Sequence, residues 1–204
     1  MTVLLIEGVV ATGKTTLLAE LQQTTPWRER PTKLVLSEHY TERVLELTGP
    51  TVESRLALLG RHVDICETLH QIWRASRFGD SRTLAPLVLC ERFHLTHAAQ
   101  ANDFAPFSGL EQRLENCGAL LVFLYHPKEL LLERIKATEN RRNDMWRRWL
   151  RSLGTDQELA SYFMALQEKS AKFFAASTLP KIAIEAHGKE PAVMAAELAL
   201  LLNE

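Results

Sequence analysis

The chain has 204 residues, 46% of them hydrophobic and 24% charged, enough for one ordinary core with a small lid or insertion added. Its 24 Lys and Arg against 25 Asp and Glu give a net charge of -1, which argues against a general binder of nucleic-acid polymers, because phosphate neutralisation needs a cationic surplus. Nine Gly, eight Pro and three Cys exclude collagen-like, disordered and disulfide-scaffold classes.

Cys66, Cys90 and Cys117 lie far apart with no Cys-x-x-Cys pair, so a thiolate zinc site and a disulfide framework are not indicated and a reducing cytoplasm fits. No basic leader opens the sequence, and no apolar run nears the roughly 18 residues of a membrane span, so no membrane partner is expected.

Short runs rich in Val, Ile and Leu alternate with stretches of helical period, the pattern of an α/β chain with a parallel sheet. Strands are predicted at Val3–Ile6, Leu34–Ser37, Leu87–Cys90, Leu120–Tyr125 and Ile182–Ile184. Their continuous hydrophobicity predicts helices over both faces of the sheet. Leu56, Leu59, Val63, Cys66, Leu69 and Trp73 recur every three or four residues, predicting a long helix from Val52 to about Phe78, roughly 40 Å at about 1.5 Å per residue. Pro127 suits the first turn of a helix through Ile135. Thr155-x-x-Glu158 reads as a capping box opening a helix to about Ala176, and Pro191 opens the last helix.

Gly8-Val9-Val10-Ala11-Thr12-Gly13-Lys14-Thr15 fits G-x-x-x-x-G-K-[ST] between an apolar strand and a helical run. Glycines there let backbone N–H groups turn around phosphate oxygens, and the helix N-terminus adds fixed positive charge. Gly8, Val10, Ala11, Thr12, Gly13, Lys14, Thr15 and Thr16 form the candidate nucleotide cradle. Lys14 is expected to reach the β- and γ-phosphates of ATP and the Thr15 hydroxyl to ligate Mg²⁺. Glu91, after the apolar run Leu87–Cys90, is the expected second Mg²⁺ ligand, and Arg92 sets a cation beside it at the carboxyl edge of the sheet. Neither the N-K-x-D guanine reader of GTPases nor the signature segment of transport ATPases occurs, which leaves a small phosphotransferase.

The run Ile6 to Leu18 resembles the opening of deoxynucleoside kinases and the related thymidylate kinases. Glu91-Arg92-Phe93 is similar to the Glu-Arg-Ser of the former and the Asp-Arg-Tyr/Phe of the latter, and Leu120 to Ile135, ending Leu-Glu-Arg-Ile, resembles their fourth strand and the helix feeding the lid. The resemblance implies a three-layer P-loop kinase fold over residues 1–204, with a five-stranded parallel sheet ordered 2-3-1-4-5 and an Arg-rich helical lid at about 138–154. It implies ATP as phosphate donor with Mg²⁺, a small-molecule acceptor, and the long helix as a candidate homodimer face. Glu38 takes the place of the Glu that accepts the sugar hydroxyl proton, although the family's Glu-Pro is Glu-His here. Arg92 and Phe93 would contact the acceptor, and Arg134 matches the helix arginine on the ATP side.

The densest cationic stretch, Arg141-Arg142 with Arg147, Arg148 and Arg151, reads either as lid arginines closing over ATP, Arg141 and Arg142 first, or as an exposed helix. Gln71 and Gln100 are candidate readers of an acceptor base, and Trp73, Phe93 and Phe104 candidate walls for it, against the plainer reading of core aromatics. His94 and His97 line the acceptor pocket or pack under it, and Ala186 to Glu190 is the loop that faces adenine in the family. Three functions stand at this point: a nucleoside or nucleoside-monophosphate kinase, a kinase of another small alcohol, and a nucleotide-dependent regulator.

Overall fold

The computed structural model describes residues 1–45, 49–140 and 142–202. Strands β1 (Thr2–Glu7), β2 (Lys33–Leu36), β3 (Leu87–Glu91), β4 (Ala119–Tyr125) and β5 (Lys181–Glu185) make one parallel sheet ordered 2-3-1-4-5. The helices are α1 (Lys14–Leu21), α2 (Thr25–Glu29), α3 (Glu38–Thr41), α4 (Val52–Ala75), α5 (His94–Ala101), α6 (Ser108–Asn116), α7 (Lys128–Glu139), α8 (Asp144–Ser152), α9 (Asp156–Ala176) and α10 (Pro191–Leu201).

Central β1 shows why its sequence is unbroken in hydrophobicity. Successive side chains point to opposite faces. Val3 and Leu5 therefore enter one core with Leu59 and Val63 of α4, Leu95 of α5 and Leu114 of α6, while Leu4 and Ile6 enter the other with Leu17 and Leu21 of α1 and Met194 and Leu198 of α10. Both faces are covered there, as the run predicts. The edge strands depart from that expectation: Lys33 of β2 and Lys181, Ala183 and Glu185 of β5 are exposed, and each edge strand has one neighbouring strand. Sequence order reverses on either side of β1, which pairs with β3 on one side and β4 on the other. The crevice beyond its carboxyl end is where open α/β sheets collect ligands.

The long helix stops at Ala75 rather than near Phe78. Ser76 is extended (φ -81°, ψ 163°), and a Cβ on Gly79 would meet the Arg74 carbonyl oxygen at 2.5 Å. The capping box forms as predicted, Thr155 Oγ1 accepting from Glu158 N and the Glu158 carboxylate from Thr155 N at 2.7 Å. Between α7 and α9, α8 packs Leu150 with Leu159 and Phe163 onto Val9 and Val10 of the β1–α1 loop, so α8 is docked on that loop. Among the described residues no helix is long and apolar enough to cross a membrane.

Candidate active site

The β1–α1 loop is shaped by backbone that only small residues allow. Gly8 has φ +139°, and a Cβ there would lie 2.3 Å from the Leu124 carbonyl oxygen of β4. Gly13 has φ +88° with open space where a Cβ would project, and Ala11 is left-handed at φ +64°. Thr12 Oγ1 and Lys14 Nζ each donate to the Val9 carbonyl at 2.8 Å, curling the loop upon itself. Burial, with the Arg92 guanidinium nearby, lowers the Lys14 pKa to about 7, partly offset by Glu91, Glu38 and Glu42. These neighbours place Lys14 within the same electrostatic cluster as the acids of the site.

Thr15 Oγ1 donates to Glu91 Oε1 at 2.6 Å, bringing the two expected metal-ligating oxygens together at the loop's mouth. The chain then turns sharply, because Arg92 is left-handed (φ +55°), an uncommon state for a long side chain that clusters at functional sites. Glu7, fully buried at the end of β1, holds that turn. Its Oε1 accepts from Phe93 N at 2.9 Å and Leu95 N at 2.8 Å, and its Oε2 from Thr96 Oγ1 at 2.6 Å, capping α5. Sequence reading had no role for Glu7, although a lone carboxylate ending an apolar strand is a visible signal.

Arg92 Nε lies 2.8 Å from Glu38 Oε2, off the N–H axis and so an ion contact rather than a linear hydrogen bond, and its NH1 lies 3.1 Å from Glu42 Oε2. Arg43 reaches Glu38 Oε1 at 2.6 Å. Burial alone would raise the Glu38 pKa, but Arg92 and Arg43 outweigh it and hold the carboxyl below the usual range. A second chain of contacts runs beneath: Arg55 NH1 donates to His97 Nδ1 at 2.9 Å and to Gln100 Oε1, and the Gln100 amide donates to Glu42. His97 Nε2 donates to the Thr41 carbonyl at 2.6 Å, so the ring is neutral with its proton on Nε2, and its pKa falls to about 4, chiefly through burial. His94, also buried, instead donates from Nε2 to Glu111 of α6 at 2.8 Å and lies beside Phe104 in the core.

A cavity of about 490 Å³ opens above these groups, lined by Val10, Glu38, Glu42, Arg43, Arg55, Arg92 and Gln100 on one side and by Trp146, Trp149, Tyr162 and Phe163 on the other. Trp149 stands edge-on to Phe163 at 6.1 Å and to Tyr162 at 6.3 Å. This aromatic wall, from α8 and α9, was missed in the sequence; two Trp at i, i+3 within the Arg-rich stretch were the available signal.

Several expectations need correction. Phe93 is fully buried and edge-on to His62 in the core, because the left-handed turn at Arg92 swings it inward, so it does not line the cavity. Gln71 is exposed near the far end of α4, sixteen residues from Arg55 and so about 24 Å along the helix. Trp73 donates to the Phe78 carbonyl and Phe104 stacks on Phe173, so neither walls the cavity. Of the two glutamines, Gln100 is at the cavity.

Arg142 is half-buried, its guanidinium 5.2 Å from the Trp146 ring centroid. Burial lowers its pKa, and its charged neighbours are Glu38, Arg92, Arg43 and Glu91, which sets it over the site. Arg141 lies outside the described residues. Arg147 pairs with Asp144 and Arg151 lies 3.6 Å from Glu139, both on α8. Arg134 is exposed on α7, and its charge acts with that of His187, in the Ala186–Glu190 loop, on His126 beside the β1–α1 loop. Among the described residues no three His, Cys, Asp or Glu side chains cluster as a metal site.

The fold, a five-stranded parallel sheet ordered 2-3-1-4-5 with flanking helices, is shared with solved proteins at low sequence identity. The YorR protein of Bacillus subtilis, solved in complex with phosphorylated GDP, superposes with a TM-score of 0.61 at 12% identity over 98% of this chain and 95% of that one. A deoxyadenosine kinase of M. mycoides with dCMP and dCDP bound gives 0.49 at 14% identity, covering 100% of this chain and 99% of that one. An unliganded sugar kinase from Janibacter sp. gives 0.48 at 15% identity, covering 98% and 92%. No protein-family model and no curated protein sequence matches the chain.

Proposed function

We propose that this chain is an ATP-dependent phosphotransferase acting in the cytoplasm on a hydroxyl of a small acceptor that carries a planar ring, a nucleoside-like alcohol. One observation carries the reading: Lys14 and the Thr15–Glu91 pair share an electrostatic cluster with Glu38 and Arg92, which line a cavity walled by four aromatic rings. The YorR protein, solved with a phosphorylated guanine nucleotide, lends the same fold to a nucleotide ligand.

The residues present fit the donor. Open space at Gly13, the buried Lys14 and the start of α1 suit phosphate oxygens, and the Thr15 hydroxyl beside the Glu91 carboxylate suits a hard cation such as Mg²⁺ that takes oxygen ligands. Magnesium nucleotide, when bound, supplies the phosphoryl group to be transferred. Lys14 grips its oxygens, and Arg142, reaching over from the lid, faces charge that develops as the bond to the leaving phosphate lengthens. Glu38 orients the acceptor hydroxyl and takes its proton. Arg92 and Arg43 make it a weak base, which suits a loose transition state in which positioning and charge neutralisation dominate and a base contributes only about 10²–10⁴-fold.

A monophosphate acceptor is the second reading, favoured by Arg142 and Arg55 near the cavity. Glu38 and Glu42 count against it, since they already engage Arg92 and would face the incoming phosphate. The test is acceptor-dependent ADP formation with nucleosides, nucleoside monophosphates and ring-free alcohols. Nucleosides should turn over, Lys14→Ala should abolish the reaction, and Glu38→Gln should lower kcat about 10²-fold. Tight ATP binding with no turnover on any acceptor would refute the enzyme reading, and an undiminished rate with a monophosphate in Glu38→Gln would refute the alcohol.

A further inference from the structure

His126 follows β4 and is 2% exposed, yet its ring reaches the phosphate loop, Nε2 lying 3.2 Å from the Ala11 carbonyl oxygen. A carbonyl only accepts, so the ring proton is on Nε2 and the imidazole donates; Nδ1 has no partner among the described residues. Ala11 is a left-handed non-glycine residue in the loop, a state that costs of order 1–2 kcal/mol and needs holding. Because the peptide is trans and planar, the N–H of Thr12 points opposite to the Ala11 carbonyl. Fixing one therefore aims the other, away from His126.

The backbone of His126 is itself clamped. The buried Gln167 amide of α9 accepts from His126 N at 3.2 Å and donates to His126 O at 2.8 Å, reading both sides of one residue. On the same helix, Tyr162, Phe163 and Leu166 line the acceptor cavity. A continuous line of contacts thus joins that wall through Gln167 and His126 to the loop that would hold the phosphates.

We propose that His126 is a positioning residue for the donor nucleotide: its ring holds the Ala11–Thr12 peptide so that the Thr12 N–H meets a phosphate oxygen, and Gln167 ties this grip to the helix that walls the acceptor. The inference rests on the phosphotransferase reading above. It assigns no bond-making step to His126, which acts through the loop.

Binding of a fluorescent ATP analogue and steady-state kinetics on the full chain test it. His126→Leu fills the space without a donor and should weaken analogue binding and raise the ATP KM about 10-fold, the worth of one buried hydrogen bond, with the acceptor KM unchanged. His126→Gln, whose amide N–H can take the place of Nε2–H, should restore binding to within about 2-fold. If His126→Leu does not fold by circular dichroism, His126→Asn, whose amide falls at the Nδ1 position, carries the same expected loss. Native affinity in a folded leucine or asparagine variant, or no rescue by glutamine, overturns the proposal alone. Wild-type protein that binds no nucleoside triphosphate overturns it together with the phosphotransferase reading.

Discussion

Lys14 should change its protonation when nucleotide binds. Its ammonium is buried against the Val9 carbonyl, and burial with Arg92 nearby brings its pKa to about 7, against 10.5 in the open chain. One pH unit above that value, about nine-tenths of the side chains are neutral in the free protein. Phosphate charges arriving beside it favour the ammonium again, so binding at about pH 8 should draw about 0.9 proton onto Lys14, and at about pH 6 only about 0.1. The same linkage makes affinity fall nearly tenfold, about 1.4 kcal/mol, for each pH unit above about 7. Calorimetry in two buffers of different ionisation enthalpy counts the protons at each pH. In Lys14→Met the nucleotide's own ionisation remains and the lysine's contribution is gone, so the difference between the two proteins is the quantity to compare. A difference below about 0.2 proton at pH 8 would refute the combination of a perturbed lysine and its place beside the phosphates.

Glu7→Gln should destabilise the fold by about 1–3 kcal/mol in urea unfolding, because its amide N–H₂ opposes the Thr96 hydroxyl that Oε2 now accepts; a change within a few tenths would show that the α5 cap is dispensable. Burial would raise the Glu111 pKa, but hydrogen bonds from His94, Ser177 and Thr178 bring it to about 2, so its stabilisation is complete above the ordinary carboxylate range and is lost as pH falls towards 2. Glu111→Gln should accordingly lower stability at neutral pH by up to about 3 kcal/mol and flatten the acid limb, and an unchanged limb would contradict this. Trp149→Ala should raise the KM of ring-bearing acceptors about 3- to 10-fold at constant ATP KM, and an equal effect on ring-free alcohols would contradict the stacking role.

The β1–α1 loop was legible as an element because its motif is local: eight consecutive residues carry the glycines, the lysine and the hydroxyl, and the flanking strand and helix are set by periodicity. The sheet order was legible only through resemblance, since no local pattern says which side of β1 receives β3 or β4. Phe93 shows where reading by spacing stopped. Its neighbour Arg92 takes a left-handed backbone that composition does not announce, and that turn decides which of the two side chains meets solvent. The aromatic wall was hidden for another reason. Trp146 and Trp149 join Tyr162 and Phe163 only when α8 folds back on α9, and in the sequence the tryptophans sit among arginines, whose charge reads as an exposed face. Glu7 and His126 have polar side chains buried at strand ends, where what they do depends on loops far away in the chain.

The paired charges at the cavity floor bear on which acceptor the site can take. Arg92 is mostly shielded from water and engaged by Glu38 and Glu42, while Glu38 is held a second time by Arg43. A phosphate monoester would have to pull Arg92 from these partners and leave two carboxylates facing a dianion, and breaking a buried ion pair costs about 3–5 kcal/mol. A hydroxyl needs no such exchange, because it can donate to a free lone pair of the Glu38 carboxylate while both guanidinium contacts stay in place. On the proposed reading, Arg92 and Arg43 would act on the acceptor side through Glu38, keeping it charged and still, and Arg142 would be left to answer the charge of the transferred group. On the function proposed above, that division of labour would let a neutral, ring-bearing alcohol enter a cavity whose floor is ionic and whose wall is aromatic.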